Sequence, residues 1–437
     1  MDPEAKPGDG PLLRQPVQSR RTRSPLALLL ALLLALLLGC AGCAPATRTA
    51  AGRGRTGHAG LPSTMEEYAL PDVQPEPAPA ILGPVEEGGL VVTMLDVGQG
   101  DAILIKPPGK RTILVDAGTE DAAGTVAREL QRLETERLDL LVATHPHEDH
   151  IGGFRRLSQR FPIRMVLDPL YPQPGPVFEG YLRQIRRQRI PLVEARHGVV
   201  VQVIGDHLGV FRPPGADGTA SGFVLGDEQS IREVRVRVSR PRGPPDDADR
   251  TAASGGGSSA AAVIDAAGEQ LPLLDLSQGV VLEVYLPHPP FFGGTRSDAN
   301  ANSVVFRLSY GDVCMIFMGD AEQETEQRLL DLQPAAGLRC PVLKVSHHGS
   351  HHSTSDPLVD AVRPQVSLIP VGRFNRYGHP TPATIHKLMK RGSWIFRTDK
   401  MGTIRLKTDG VKIQVEIERT EEYWKRYFQR KDKAPRR

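Results

Sequence analysis

Three imidazoles and a carboxylate crowd into six residues of the segment Thr144-His145-Pro146-His147-Glu148-Asp149-His150-Ile151-Gly152-Gly153. Neutral imidazole and carboxylate are ligands suited to zinc, iron and manganese. A compact turn can aim His145 and His147 at one ion while Asp149 and His150 face a neighbouring one, and Gly152-Gly153 lets the backbone leave the turn without steric conflict. Gly319-Asp320-Ala321-Glu322 offers a carboxylate able to bridge two cations, although an aspartate followed by glutamates also starts a helix well. Val345-Ser346-His347-His348-Gly349-Ser350 repeats the arrangement of apolar run, imidazoles and glycine. Each segment follows an apolar run, at 138–143, 313–318 and 342–345, that reads as a buried strand. Strand ends that present His or Asp at one edge of a layered sheet predict a dinuclear metal centre.

The surrounding elements must supply that edge. Strands are expected at 90–95, 102–105 and 111–115, closed by the turns Asp96-Val97-Gly98-Gln99-Gly100, Pro107-Pro108-Gly109 and Asp116-Ala117-Gly118. A helix with Val126, Leu130 and Leu133 on one face leads to the strand at 138–143. Helices at 154–159 and 178–189 then alternate with strands at 165–167, 192–194 and 199–204, an α/β layered pattern. Residues 212–278 hold Pro241-Arg242-Gly243-Pro244-Pro245 and Ser254-Gly255-Gly256-Gly257-Ser258, with one convincing strand at 234–238. An exposed, partly disordered insertion is expected there. Strands follow at 280–286, 303–308, 313–318, 342–345 and 366–370, with helices near 322–332 and 383–390. Residues 403–418 read as two strands joined at Asp409-Gly410.

Taken in order, Asp116-Ala117-Gly118, His145-x-His147-x-Asp149-His150, Gly319-Asp320 and His347-His348-Gly349 resemble the metallo-β-lactamase superfamily of αββα hydrolases. More narrowly, Leu95-Asp96-Val97-Gly98-Gln99-Gly100-Asp101, Asn300-Ala301-Asn302-Ser303, His347-His348-Gly349-Ser350 and Asn375-Arg376-Tyr377-Gly378-His379-Pro380 resemble the hydrolase domain of ComEC-type competence proteins and its stand-alone relatives. The likeness spans about residues 90–409, apart from the insertion. It implies an α/β fold, a four-layer αββα sandwich, and two divalent metal ions, zinc or manganese. His145 and His147 would hold one ion and Asp149 and His150 the other, with Asp320 between them and one of His347 and His348 completing the second. One departure stands out: the superfamily usually places a further histidine before the strand leading to the bridging aspartate, where this chain has Asn300 and Asn302. The first site is therefore short of a ligand, to be met by Asn300, by water, by a harder ion such as manganese, or by His288.

Two ions roughly 3.5–4 Å apart bring the pKa of a shared water toward neutrality and clamp the oxygens on which charge develops. Asp149 would orient that water. His379 is the candidate for a substrate contact or leaving-group proton donor, since an unperturbed histidine titrates near about pH 6.5; a structural histidine before Pro380 is the alternative. Asp96, Gln99, Asp101 and Asp116 are candidates to hydrogen-bond the ligand histidines or to support their turns. Lys344, Ser350 and Ser353 could meet a phosphate or carboxylate.

A hydrophobic content of 40% excludes a fibrous or wholly disordered chain, and a net charge of +3 over 437 residues does not advertise a polyanion-binding protein. No dense basic stripe with interleaved aromatics is visible. Arg20, Arg21 and Arg23 precede a Leu/Ala-rich run at 25–38, the pattern of an export signal. The run is short for a spanning helix, which needs roughly 20 apolar residues. Leu37-Leu38-Gly39-Cys40 resembles a bacterial lipoprotein signal with Cys40 as the lipidated residue; secretory cleavage near 44–46 and an uncleaved anchor are the alternatives. The expected organisation is a signal peptide at 1–39, a flexible Ala/Pro/Gly tether at 40–89, the hydrolase domain at 90–418 and a basic tail at 419–437. That organisation puts the protein at the bacterial cell envelope, periplasmic or on the outer surface, held to the membrane by lipid. Cys314 and Cys340 could pair in an oxidising compartment, but their separation in sequence does not fix the geometry.

The expected activity is metal-dependent hydrolysis of a phosphodiester, nucleic acid foremost, by analogy with domains proposed to act on DNA during uptake. Hydrolysis of a lactone, thioester, phosphorylcholine ester or β-lactam, and a non-catalytic lipoprotein that keeps metals for structure, are the alternatives. No protein partner follows from the sequence.

Overall fold

The computed structural model describes residues 79–213, 219–225, 231–237, 263–264, 270–271 and 276–420. The expected signal peptide, Cys40, most of the tether, the greater part of the 212–278 insertion and the tail from residue 421 lie outside the described residues. Among the described residues no helix is long and apolar enough to cross a membrane.

The chain first lays down β1 (Leu90–Met94), β2 (Ile103–Lys106), β3 (Ile113–Val115), β4 (Leu140–Val142), β5 (Val166–Asp168) and β6 (Leu192–Glu194). It then builds a second sheet from β7 (Val200–Ile204), β8 (His207–Phe211), β9 (Thr219–Leu225) and β10 (Ile231–Arg237). The short pair β11 (Val263–Ile264) and β12 (Gln270–Leu271) stands apart. The second sheet continues with β13 (Val280–Leu286), β14 (Val305–Tyr310), β15 (Val313–Phe317), β16 (Val342–Lys344), β17 (Val366–Ile369) and β18 (Trp394–Arg397). Finally β19 (Ile404–Thr408) and β20 (Ile413–Ile417) return to the first sheet, whose order is β20-β19-β1-β2-β3-β4-β5-β6. In each sheet an antiparallel half passes into a parallel one: β3 to β6 in the first, β15 to β18 in the second.

Strand periodicity explains the layers. Successive side chains alternate faces, so Ile103, Ile113, Val115, Leu140 and Val142 of the first sheet meet Phe306, Leu308, Met315, Phe317 and Val342 of the second in one inner core. The intervening Leu104, Leu114 and Leu141 pack outward under α1 (Ala123–Arg132), α3 (Phe154–Arg160) and α4 (Pro176–Gln188), with the single-turn α2 (Glu148–Ile151) beside them. On the other side Ile316 and Leu343 pack under α6 (Gln323–Leu332), α7 (Ala335–Leu338), α8 (Asp356–Val362) and α9 (Pro382–Lys390), while α5 (Asp298–Ala301) and α10 (Thr398–Met401) are short connectors. The result is the expected four-layer αββα sandwich. Parallel pairing of β15 with β16 sets Met315 opposite Val342, which brings Cys314 and Cys340 within a Cα separation of 5.3 Å; the two are joined by a disulfide.

Three boundaries differ from the sequence reading. β9 pairs with β8 on one side and β10 on the other, where one strand at 234–238 was expected in an exposed insertion. Its alternation is masked by Gly222, which lies against the Val210 carbonyl where a Cβ would overlap, while Leu225 reaches the inner core. Ile81 and Leu82, inside the expected tether, also pack on that core, and Leu82 bridges Ile413. β18, unmarked in the sequence, extends the parallel half beside β17.

Candidate metal centre

Both sheets deliver polar residues at the C-terminal ends of their strands, on the same edge of the sandwich. β3 ends in Asp116, β4 in Thr144 and His145, β15 in Gly319 and Asp320, and β16 in Ser346, His347 and His348. His147 precedes α2, which carries Asp149 and His150. The turn between β1 and β2 braces this loop: Asp101 N donates to Asp149 O at 3.2 Å, and a Cβ at Gly100 (φ 116°) would overlap that carbonyl. This close approach explains the glycine in the Gly98-Gln99-Gly100 turn.

Asp320 is the hub. Its Oδ2 lies 3.5 Å from His150 Nε2, 3.5 Å from His348 Nε2, 3.6 Å from His347 Nε2 and 4.0 Å from His145 Nε2. His348 Nε2 and His150 Nε2 also stand 3.7 and 4.0 Å from Asp149 Oδ2. His145 Nε2 lies 3.1 Å from His147 Nδ1. The opposite ring nitrogens are occupied: His150 Nδ1 is 2.7 Å from Asp116 Oδ2, and His348 Nδ1 is 2.9 Å from the Pro370 carbonyl. Asp116 is itself held by donation from Thr144 N and Oγ1 at 2.8 and 2.7 Å.

That pattern fits a cation. His150 Nε2, His348 Nε2 and Asp320 Oδ1 are buried without a hydrogen-bond partner, and a buried polar atom in that state is costly. A histidine that gives its far nitrogen to a carboxylate or carbonyl keeps the near one as a ligand. Donor atoms of His145, His150 and Asp320, and those of Asp149, His150 and His348, fall into groups that can hold a metal ion.

Charge runs strongly through the cluster. Burial raises the Asp320 carboxyl, yet His348, His150 and His347 outweigh it and hold the group well below the usual carboxylate range. Burial lowers His150, but Asp320, Asp116 and Asp149 bring it well above an ordinary histidine. His145 goes the other way, depressed by burial and then by His150. The Asp116 carboxyl is raised by burial in spite of His150.

Other expected residues divide by where the fold puts them. Asn300 is in the site, its Nδ2 donating to Glu322 Oε1 at 3.2 Å. Glu322, treated in the sequence only as part of a helix start, contacts His347 Nδ1 at 3.3 Å and pairs with Arg296. Gln99 and Ser350 line the cleft beside the cluster. Asp101 reaches His348 Nδ1 at 3.4 Å, whereas Asp96 pairs with Arg419 at 2.5 Å and faces the last strands instead of the histidines. Lys344 does not face substrate: it is buried against Asp101 and donates to the Gly319 carbonyl at 2.8 Å. Ser353 is likewise internal, donating to Ser346 O at 3.0 Å. His288 stands apart from the cluster, edge-on to the His197 ring with its Nδ1 2.7 Å from Pro289 O. His379 is in the cleft, 5.5 Å from His347 between ring centroids. Burial, then His347 and His348, bring its imidazole down to about 4. At neutral pH it therefore meets a ligand as a neutral hydrogen-bonding ring and not as the imidazolium acid expected from an unperturbed histidine.

The cleft above Asp320 encloses about 430 Å³ and, among the described residues, has no aliphatic lining. A second depression of about 540 Å³ shares Gln99, His147, Asp149 and Tyr377 with it. The loop between the two carries Phe374 and Tyr377, 52% and 56% exposed, and Arg376 with its guanidinium 5.4 Å from the Tyr377 ring. Asn375 stiffens this loop: its Oδ1 accepts from Tyr377 N and His379 N at 3.2 and 2.9 Å, and its Nδ2 donates to Gly372 O and His379 O, each at 2.8 Å.

Residues 95–288 match the profile of the metallo-beta-lactamase superfamily. The chain is 24% identical over 331 residues to ComE operon protein 3 of Bacillus subtilis, covering 72% of this chain and 32% of that protein. It is 31% identical over 333 residues to Competence protein ComA of Neisseria gonorrhoeae, covering 76% and 34%. The chain thus spans about a third of the length of these relatives. A crystal structure of CmlA, a diiron beta-hydroxylase from Streptomyces venezuelae, aligns over 74% of this chain and 55% of its own at 13% identity, with a TM-score of 0.37. Two sheets that end on one imidazole–carboxylate cluster, with a family profile matching the segment that carries its first half, give this chain a metallo-β-lactamase domain.

Proposed function

We propose that the protein hydrolyses phosphodiesters, with single-stranded nucleic acid as the substrate, at the cell envelope. The observation that carries this reading is the loop at Phe374, Arg376 and Tyr377. Two exposed aromatic rings and a guanidinium stand on a stiffened turn beside an open cleft that reaches His147 and Asp149, and such rings stack bases while the cation meets the backbone. The sequence showed no long basic stripe, and this compact arrangement needs none. A cleft without aliphatic lining also suits a charged polymer better than an acyl group, which calls for apolar walls.

Two divalent ions, zinc or manganese, would activate water and neutralise charge on the phosphoryl oxygens. Asp149, Asp320 and the histidines around them would hold those ions. Arg296, at the rim, presents a cation to a phosphate while remaining paired with Glu322. His379 contributes a neutral N–H at the cleft wall, and Tyr377, stacked on it at 5.7 Å, positions the ring. The likeness to Competence protein ComA supports a place in DNA uptake. The Cys314–Cys340 disulfide supports an oxidising compartment, consistent with the proposed export and Cys40 lipidation.

The test is turnover of single-stranded DNA and of bis(p-nitrophenyl) phosphate by the metal-reconstituted chain, beside Asp149→Ala. Metal-dependent cleavage that Asp149→Ala abolishes is expected. Absence of turnover on both substrates would sink the phosphodiesterase reading, and tight metal without turnover of any ester would make the protein a binding module.

A further inference from the structure

We infer that His347 and His348 serve different ions: His348 belongs with Asp149 and His150, and His347 supplies the donor that the His145–His147 side lacks. This rests on the metal centre of the proposed function and not on its substrate. The family likeness assigns one histidine of the pair to one site and leaves the other without a task.

The backbone assigns a task to both. In an extended chain adjacent side chains point to opposite sides. Here His347 and His348 adopt φ of 45° and 53°, followed by Gly349 at 82°. Consecutive left-handed residues turn both imidazoles toward Asp320, with their Nε2 atoms 3.6 and 3.5 Å from Oδ2. L-residues avoid that region, and strain of this kind gathers where a side chain's placement matters to function.

The partners divide the pair. His348 Nε2 faces Asp149 Oδ2 at 3.7 Å, and its Nδ1 is anchored on the Pro370 carbonyl. His347 lies instead beside Asn300, Nδ1 to Nδ2 at 3.5 Å, the residue standing where the superfamily usually has its extra histidine. Glu322 Oε1 sits 3.3 Å from His347 Nδ1 and also accepts from Asn300. A carboxylate on Nδ1 leaves Nε2 free to ligate, the relation that Asp116 has to His150. Glu322 follows Asp320 by two residues, so one turn supplies both the shared carboxylate and the group that orients His347. Two donors on one ion at about 2.0–2.1 Å in a tetrahedral arrangement stand about 3.4 Å apart. The 3.6 Å between His347 Nε2 and Asp320 Oδ2 is slightly longer than that separation, and a small inward turn of the ring closes the difference. Asn300 thus takes the histidine's place in sequence, and a histidine from another strand takes its place in space.

Metal content settles it. The full chain and its His347→Ala, His348→Ala and Glu322→Gln variants are dialysed to equilibrium against manganese or zinc and analysed by mass spectrometry. Visible spectra of the cobalt(II) forms give a second readout. Wild type should hold two ions and each histidine variant one, with different cobalt spectra because different ions remain. Glu322→Gln should keep both ions while weakening one of them roughly 10- to 100-fold. His347→Gln replaces His347→Ala if the alanine variant does not fold. Two ions at wild-type affinity in the His347 variant, or identical cobalt spectra in the two histidine variants, overturn the assignment alone. One ion in wild type overturns it too, and none overturns the metal centre itself.

Discussion

Lys344 Nζ lies 2.5 Å from Asp101 Oδ2 and 4.0 Å from Asp320 Oδ1, with the Lys344 and Asp101 side chains only 1% exposed. Burial works against the lysine's charge, and Asp101 and Asp320 outweigh it, raising Lys344 above an ordinary lysine. Removing one member of a buried pair leaves an uncompensated charge. Lys344→Met is therefore expected to lower stability by about 3–5 kcal/mol, read as a fall in the urea midpoint. Adding Asp101→Asn should recover part of that loss, and strictly additive effects would contradict direct coupling.

Asp116 touches His150 on the nitrogen that faces away from Asp320. Asp116→Asn leaves every proposed ligand in place but removes the charge that orients the ring. Metal affinity should fall roughly 10- to 100-fold in a chelator competition. An unchanged affinity would mean that Thr144 and the surrounding backbone alone fix His150.

If the exposed loop stacks bases, Phe374→Ala should raise KM for a single-stranded oligonucleotide roughly 5- to 100-fold, since base stacking contributes about 1–3 kcal/mol per base. Turnover of bis(p-nitrophenyl) phosphate, which needs the cleft that Phe374 does not line, should be little altered. Equal losses on both substrates would place the Phe374 ring in catalysis or folding, not in polymer binding.

Asp168 gives a pH signature outside the site. Burial pushes its carboxyl up to about 6, despite hydrogen bonds from Tyr181 Oη at 2.7 Å and Leu170 N at 2.6 Å. A folded-state value above the ordinary 3.8 means that folding takes up a proton between those two values. The associated stability is complete below about pH 4 and is lost as the pH rises through about 6, in total about 3 kcal/mol. Asp168→Asn cannot ionise, so its stability relative to wild type should grow between pH 4 and 7. A difference that stays constant across that range refutes the shift.

The legible part of the site is the part made by neighbours in sequence. His145, His147, Asp149 and His150 lie within one turn after a buried strand, so their types and spacing nearly determine that they converge. Asp320 was readable as a strand-end carboxylate, although a helix start explained it as well. Asp96, Lys344 and Ser353 looked like equals of Asp101 and Ser350, because a polar residue at a strand end carries no mark of the side it will face. β9 escaped notice because Gly222 interrupts its alternation, and only pairing with β8 reveals it.

Sequence by itself determined the layered α/β class, the family likeness and the ligand types, since periodicity and short-range spacing are properties of the local chain. The tertiary structure decided which of those residues meet. Parallel pairing of β15 with β16 carries His347 and His348 up to Asp320, and left-handed backbone at both turns the two rings inward together. Glu322 became the partner of His347, Lys344 the buried counter-charge of Asp101, and His288 a bystander. Such contacts depend on which strands lie side by side and on rare backbone angles, and neither is written in hydrophobic period or residue spacing.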